Sequence, residues 1–228
     1  MIFNQFFDDV SCTYTYLLSS GKGREALIID PVLEKTNEYI LFLKKLDLKL
    51  VKVIDTHIHA DHISGMKQLH KQTDCANIMG EKSPSDVVNI KVKDNEKIKI
   101  ENIELTSMYT PGHTDCSYSF FMKDKIFTGD TLLINGTGRT DFQNGNPIDQ
   151  YHSLFDRILK LPEKTFVYPA HDYKGNKFST IGKEKKNNPR LKVKSSNQYA
   201  ELMNNLNLDN PKMMDVAVPA NIKGKILD

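Results

Sequence analysis

The sequence lacks several features that mark particular classes of protein. It has three cysteines among 228 residues, and none of them forms a CxxC pair. This argues against a disulfide framework, and we expect free thiols in a reducing compartment. No apolar run approaches the roughly 20 residues that a transmembrane helix needs. The beginning of the chain carries no basic leader, so we expect a cytoplasmic protein without a membrane partner.

An excess of charge of one sign is also missing. The 31 basic and 29 acidic residues give a net charge of +2, which argues against a surface for nucleic acid. No internal repeat, low-complexity segment or linker divides the chain. A length of 228 residues fits one large domain. We therefore predict a single domain over residues 1–228, with a short helical tail at its C-terminal end.

The hydrophobic pattern predicts strands and helices in mixed order. Apolar runs predict strands in the first 30 residues, at Leu50–Ile54, and as a hairpin of residues 117–122 with residues 125–128. Apolar residues three to four positions apart predict helices at residues 34–47, from His62 towards His70, at Asp149–Leu161, and at residues 180–206 with a break at 187–189. This mixture is typical of a layered α/β or α+β domain.

Metal-binding side chains are unusually dense at one place. His57, His59, Asp61 and His62 fall within six positions, directly after the strand at Leu50–Ile54. Imidazole and carboxylate are the groups that hold transition metals at neutral pH. So many ligands in so short a stretch are hard to explain by packing. The stretch therefore predicts a metal site.

Three further predicted strands, at residues 103–106, 125–128 and 165–168, are followed by the same residue types. Pro111 and Gly112 precede His113, Thr128 and Gly129 precede Asp130, and Pro169 and Ala170 precede His171. Loops at the edge of a sheet carry functional groups on a rigid base. If these strands share one sheet, His57, His59, His113, Asp130 and His171 meet. Taken alone, His113 or His171 would more often be a structural histidine.

The order and spacing of these motifs resemble the metallo-β-lactamase superfamily. The resemblance implies an α+β fold, a four-layer αββα sandwich with metals held by loops at one edge. It also implies a division of the ligands between two metal sites. The first site would consist of His57, His59 and His113, the second of Asp61, His62 and His171, and Asp130 would bridge them.

Two finer segments, residues 136–143 and 168–175, resemble the persulfide dioxygenases, a branch close to glyoxalase II. The resemblance implies one Fe(II) per chain, held by His57, His113 and Asp130. It implies oxidation of glutathione persulfide, or a similar thiol persulfide, with O2 and water to sulfite and thiol. Members of the family commonly form homodimers, so a homodimer is expected. The side chains that would then orient ligands and waters, rather than hold the iron, are His59, Asp61, His62 and His171.

Further side chains receive roles in this interpretation. Tyr173 and Asp61 are assigned as catalytic residues, with the Tyr173 hydroxyl also contacting the substrate; the alternative for Tyr173 is a core tyrosine. Arg139 is assigned to a substrate carboxylate, which suits its planar fork, and the alternative is a structural salt bridge. The glycines at residues 136 and 138 would let a ligand approach the backbone. Cys116 is expected to be a buried cysteine rather than a nucleophile.

The alternative function is a thioester hydrolase of glyoxalase II type, with two Zn, Fe or Mn ions. The same ligands permit it. The short segment after His171 argues against it, because glyoxalase II typically adds a larger helical domain there. A nuclease is disfavoured by the balanced charge, and a scaffold without catalysis by the intact set of ligands.

Overall fold

The computed structural model describes residues 1–209 and 213–225. The predicted single domain of residues 1–228 includes residues 210–212 and 226–228, which lie outside the described part. The division into domains therefore stays a prediction.

The first sheet has six strands, and their order in the sheet is their order in the chain. The three strands from β1 to β3 pair antiparallel, and each neighbouring pair from β3 to β6 is parallel. The strands are Ile2–Asp8 (β1), Thr13–Ser19 (β2), Glu25–Ile29 (β3), Lys49–Ile54 (β4), Ala76–Gly80 (β5) and Ile90–Val92 (β6).

The second sheet is built from the next part of the chain, with the strand order β12-β11-β10-β9-β8-β7. Its strands are Lys97–Ile100 (β7), Ile103–Tyr109 (β8), Tyr118–Met122 (β9), Lys125–Gly129 (β10), Phe166–Pro169 (β11) and Ser179–Thr180 (β12). The predicted hairpin is confirmed, because β9 and β10 pair antiparallel with Met122 opposite Lys125. β10 and β11 are parallel, so both strands end at the same edge of the sheet.

Six α-helices of the described residues flank the two sheets. They are Thr36–Lys45 (α1), Met66–Thr73 (α2), Pro147–His152 (α3), Ile181–Asn187 (α4), Ser196–Asn204 (α5) and Met214–Lys223 (α6). α1 and α2 pack on the first sheet through residues such as Leu43 and Leu69. α5 packs on the second sheet through Tyr199. The faces between the sheets bury a third apolar cluster, which includes Tyr16 and Phe120. These layers confirm the predicted αββα sandwich.

One predicted helix begins later than expected. Helix α2 starts at Met66 and not at His62. The residues before it are held in another conformation, because Gly65 N–H donates to Pro31 O at 2.7 Å and Leu33 N–H donates to Ile63 O at 2.8 Å. These long-range hydrogen bonds compete with helix formation and keep His62 in the loop.

The other predicted helices are present with small differences. Residues 34–47 contain α1. The predicted helix at Asp149–Leu161 begins at Pro147 and continues after His152 as a π turn and a 3-10 turn. The predicted break at residues 187–189 separates α4 from a 3-10 turn at Pro189–Leu191, as expected because proline restricts the residue before it.

Candidate metal centre

Four strand ends meet at one edge of the sandwich. His57 and His59 follow β4, His113 follows β8, Asp130 follows β10, and His171 follows β11. The ring centroids of His57 and His113 are 4.9 Å apart, and those of His59 and His171 are 6.4 Å apart. The structure thus brings together the five side chains that the strand-end pattern links. The four strands do not share one sheet, however, because β4 lies in the first sheet and β8, β10 and β11 lie in the second.

Three of these side chains form what we call the first group: His57, His113 and Asp130. One ligand atom of each lies within 4.8 Å of the others. His113 Nδ1 lies 2.7 Å from the carbonyl oxygen of Arg139, which can only accept, so Nδ1 carries the proton. His113 Nε2 is left free and lies 3.6 Å from Asp130 Oδ2.

His57 is oriented in a corresponding way through Thr56. The Thr56 hydroxyl donates to Asp30 Oδ2 at 3.0 Å and lies 2.9 Å from His57 Nδ1, from which it accepts. Thr56 N–H also donates to Asp30 Oδ1 at 2.7 Å. Burial holds the pKa of His57 well below its usual range, so the ring is neutral. Its Nε2 lone pair is therefore free for a metal.

Glycine is required twice beside the first group. A Cβ on Gly129, whose φ is +52°, would lie 2.6 Å from Thr56 Oγ1. A Cβ on Gly138 would lie 2.2 Å from the carbonyl oxygen of Asp130 and 2.8 Å from His113 Nδ1. Gly138 thus lets its own backbone pack against two members of the first group. The expectation that the glycines at residues 136 and 138 serve the approach of a ligand stays a prediction, and both line the cavity described below.

A second group consists of His59, Asp61 and His62, whose ligand atoms also lie within 4.8 Å of one another. His59 Nε2 lies 3.2 Å from Asp30 Oδ1, and His62 Nδ1 lies 2.9 Å from Asp61 Oδ2. The remaining nitrogens, His59 Nδ1 and His62 Nε2, are buried and have no hydrogen-bond partner among the described residues. Buried polar atoms normally have a partner. These two nitrogens fit a metal ion or a water molecule.

His171 joins the two groups without belonging to either. Its Nδ1 lies 2.6 Å from Asp130 Oδ1, and its Nε2 lies 2.7 Å from Asp61 Oδ2. Burial disfavours the charged ring, but the two carboxylates outweigh it and raise the pKa of His171 well above its usual range. His171 therefore bridges two carboxylates with both of its nitrogens. The assignment of His171 to a second metal site stays a prediction.

A third set of buried acidic and imidazole groups lies behind the centre: Asp30, Asp55 and His59. Burial raises the pKa of Asp55 to about 7. Burial would lower the pKa of His59, but the Asp30 carboxylate outweighs it and raises that pKa to about 9. Sequence analysis missed Asp30 and Thr56. Asp30 does follow a predicted strand, as the recognised ligands do, and this signal was available.

A cavity of about 880 Å³ opens onto the centre. Asp61, His113, Asp130 and His171 contribute to its lining. Its apolar side chains include Val10, Leu133, Ile134, Leu208 and Met213, and its cations are Arg139, Lys174 and Arg190. A space of this size accommodates a substrate of several hundred daltons.

Arg139 lines this cavity but is already paired. Its Nε and Nη2 donate to the two carboxylate oxygens of Asp141, each at 2.7 Å, and its Nη1 donates to the carbonyl oxygen of Asp209 at 2.6 Å. The guanidinium also lies over the ring of Phe142, 4.4 Å from the centroid. The structural salt bridge weighed as the alternative is thus present. A role for Arg139 in substrate binding stays a prediction.

Tyr173 and Cys116, for which the sequence left two interpretations, differ in exposure. Tyr173 is 71% exposed, so the alternative of a core tyrosine is wrong. Its ring stacks on His171 with centroids 6.2 Å apart and planes 7° apart. Its catalytic and substrate-binding roles stay predictions. Cys116 is buried, as expected, and burial raises the pKa of its thiol.

A layered sandwich with histidines and carboxylates gathered at one edge defines a metal-dependent enzyme. The family model of the metallo-beta-lactamase superfamily matches residues 9–86 and 78–171. The human protein "Persulfide dioxygenase ETHE1, mitochondrial" is 40% identical over 226 residues, which cover 98% of this chain and 88% of that protein. The crystal structure of ETHE1 from Myxococcus xanthus has 44% identity and a TM-score of 0.94, and the match covers 97% of this chain and 98% of that chain.

A probable hydroxyacylglutathione hydrolase of Schizosaccharomyces pombe is more distant, at 31% identity over 239 residues, covering 89% of this chain and 90% of that protein. The chain belongs to the metallo-beta-lactamase superfamily and, within it, to the persulfide dioxygenase ETHE1 family. The family prediction is therefore confirmed, as are an enzymatic activity and a metal cofactor. Within the described residues, the helices are too short or too polar to cross a membrane.

Proposed function

We propose that the chain is a persulfide dioxygenase that uses one Fe(II) per chain. The first group carries the proposal, because two histidines and one carboxylate that share a point are the ligand set of non-haem Fe(II) oxygenases. In this chain His57, His113 and Asp130 make up that set, and His59 stands outside it. When bound, the iron would supply a redox-active centre with positions for a sulfur anion and O2.

The proposed reaction converts R–S–S⁻, O2 and H2O into RSH, SO3²⁻ and one H⁺. The sulfur–sulfur bond breaks, the terminal sulfur is oxidised, and O2 takes up the electrons, so no further redox cofactor is needed. The protein supplies orientation and charge. Burial would raise the pKa of Asp130, but His171 and His113 hold it well below its usual range. Asp130 is therefore a carboxylate, as an iron ligand must be.

The substrate class we propose is a low-molecular-weight thiol persulfide, with glutathione persulfide as the leading case. The cavity of about 880 Å³ has room for a tripeptide. Arg139, Lys174 and Arg190 in its lining suit an organic anion. Tyr173 and Asp61 are proposed as catalytic residues, since both line the cavity beside His171. His59, Asp61, His62 and His171 are proposed to orient ligands and waters.

O2 uptake and sulfite release test this proposal. The protein is loaded anaerobically with Fe(II), or with Zn(II) as the matched control, and mixed with glutathione persulfide. We expect O2 uptake and sulfite release in equal amounts from the iron form and none from the zinc form. If the iron form consumes no O2 with persulfides of glutathione, cysteine or coenzyme A, the proposal is wrong.

A second candidate is a thioester hydrolase with two metal ions. The second group favours it, because His59 Nδ1 and His62 Nε2 are buried nitrogens with no partner among the described residues. This candidate predicts about two metals per chain and hydrolysis of S-D-lactoylglutathione. Measured on the same preparation, that hydrolysis separates the two candidates.

We also propose an oligomeric state, a location and a class of partners for the enzyme. We infer a homodimer formed by a single-domain chain in the cytoplasm, acting on small molecules without a nucleic-acid or membrane partner. The near-balanced charge supports the last point. The names of the mammalian relatives place those proteins in mitochondria, and we do not extend that location to this chain. Light scattering coupled to size exclusion tests the dimer.

A further inference from the structure

Thr13, the first residue of β2, places its hydroxyl among the three side chains that the superfamily resemblance assigns to a second metal site. Thr13 Oγ1 lies 3.1 Å from Asp61 Oδ2, 3.3 Å from His62 Nδ1 and 3.0 Å from His171 Nε2. The residue is fully buried. A transition-metal ion bound by these three atoms would sit about 2.0–2.2 Å from each of them. The hydroxyl oxygen therefore stands where such an ion would need to be.

The carboxylate at this point is already satisfied. Asp61 Oδ2 lies within hydrogen-bond distance of Thr13 Oγ1, of His62 Nδ1 at 2.9 Å and of His171 Nε2 at 2.7 Å. A second cation would have to replace these hydrogen bonds. Replacement of well-made buried hydrogen bonds opposes binding, because each partner left unmatched carries a desolvation cost.

The backbone fixes the hydroxyl in place. Thr13 forms an antiparallel bridge with His171, and Tyr14 N–H donates to the carbonyl oxygen of Ala170 at 2.7 Å. The Ser11 hydroxyl lies 2.7 Å from Thr13 Oγ1 and also 2.7 Å from Asp8 Oδ2. The segment that carries Thr13 is thus paired to the segment that carries His171. The hydroxyl cannot move away without breaking this backbone pairing and the contact with Ser11.

Within the described residues, no hydroxyl makes the corresponding contacts among the ligand atoms of the first group. The Thr56 hydroxyl contacts His57 Nδ1, so the Nε2 atom stays free. Thr13 instead occupies the space between the ligand atoms themselves. This difference separates the first group, which is open to a metal, from the position between Asp61 Oδ2, His62 Nδ1 and His171 Nε2, which Thr13 fills.

We infer that the Thr13 hydroxyl takes the place of a second metal ion and makes the centre mononuclear. The inference rests on the proposed function in that it names the residue that keeps the dioxygenase ligand set to one metal. Removal of the hydroxyl and methyl of Thr13 opens the position between Asp61, His62 and His171. Retention of a side chain that fills it keeps the position closed.

The test is metal stoichiometry by elemental analysis after equilibrium dialysis against excess Zn(II) or Mn(II). Wild type, Thr13→Ser and Thr13→Val should each bind about one ion per chain, whereas Thr13→Ala should approach two. Circular dichroism serves as the control for folding. Two ions bound by wild type, Thr13→Ser or Thr13→Val would overturn the inference, as would one ion bound by a folded Thr13→Ala.

Two ions bound by wild type overturn the inference even where the alanine variant does not fold. The titrations also separate this inference from the proposed function. If wild type binds one ion and Thr13→Ala binds two, but wild type consumes no O2 with persulfides, the function is disproved and the role of Thr13 is supported. A wild type that binds two ions yet consumes O2 does the reverse.

Discussion

The first and second groups contain the same kinds of side chains but differ in which atoms are free. In the first group, His57 and His113 each use Nδ1 on a partner that is not a ligand, which leaves Nε2 facing Asp130. In the second group, Asp61 and His62 bond to each other, and the nitrogens without a partner among the described residues are His59 Nδ1 and His62 Nε2. A count of ligands therefore does not define a metal site. The positions of the unpaired atoms relative to one another define it.

The groups also differ in how charge is balanced. The second group is linked to Asp130 through His171, whose ring lies between the two carboxylates. The charged imidazole ring of His171 thus stabilises the Asp61 carboxylate without a metal. Buried carboxylates need such compensation.

Asp130→Ala should have the largest effect, because Asp130 serves both sides of the comparison. The substitution removes the carboxylate of the first group and leaves His171 without one of its two carboxylate partners. We expect turnover and bound iron to fall by more than the roughly 100-fold that loss of a ligand's outer partner can cause. Iron analysis and O2 uptake measure this. The exposed Asp9→Ala is the control, and an Asp130→Ala protein with full iron content would contradict the assignment.

A pair of histidine variants tests the comparison itself. His113→Ala removes a free Nε2 from the first group and should abolish iron binding. His62→Ala removes a member of the second group and should keep about one iron per chain, with turnover lowered by roughly 10- to 100-fold. Iron content and kcat are measured on both. Equal loss of iron from the two variants would mean that both groups hold the metal, which would contradict the comparison.

Much of the centre follows from sequence. The residues His57 to His62 are too rich in ligands for packing, and strand ends followed by ligand residues mark His113, Asp130 and His171 as further members. The packing of the first sheet on the second, which brings β4 beside β8, β10 and β11, follows from the family resemblance. The αββα layers follow from the hydrophobic pattern and the family resemblance.

The division into two groups does not follow from sequence. Thr13 contacts His171 across 158 positions, and Asp30 contacts Thr56 across 26. Threonine at the start of a strand is ordinary, so no local signal marks Thr13. Which nitrogen of His171 faces which carboxylate depends on the orientation of the ring, and this orientation is set by backbone pairing that appears only in the folded chain. The start of α2 was misplaced for the same reason.

Thr56→Val should have an intermediate effect, because it removes the hydroxyl that links Asp30 to His57 while preserving side-chain volume. Without that acceptor, His57 loses the partner that keeps its proton on Nδ1. We expect the affinity for Fe(II) to fall about 10- to 100-fold. Competition with a coloured chelator measures the affinity directly, without reference to turnover. Thr56→Ser retains the hydroxyl and should bind iron nearly as wild type does. Equal affinities of the valine and serine variants would show that the Thr56 hydroxyl does not orient His57 for iron binding.

Tyr173→Phe should have the smallest effect. The ring that stacks on His171 is kept, and only the exposed hydroxyl is lost. A single hydrogen bond to the substrate or its water is worth about 0.5–1.5 kcal/mol, so kcat/KM should fall about tenfold or less. Iron content should not change, since the hydroxyl belongs to neither group. Tyr151→Phe on α3, outside the cavity lining, is the control. If the two phenylalanine variants have the same kcat/KM, the hydroxyl of Tyr173 has no part in catalysis, and its contribution is confined to covering the His171 ring.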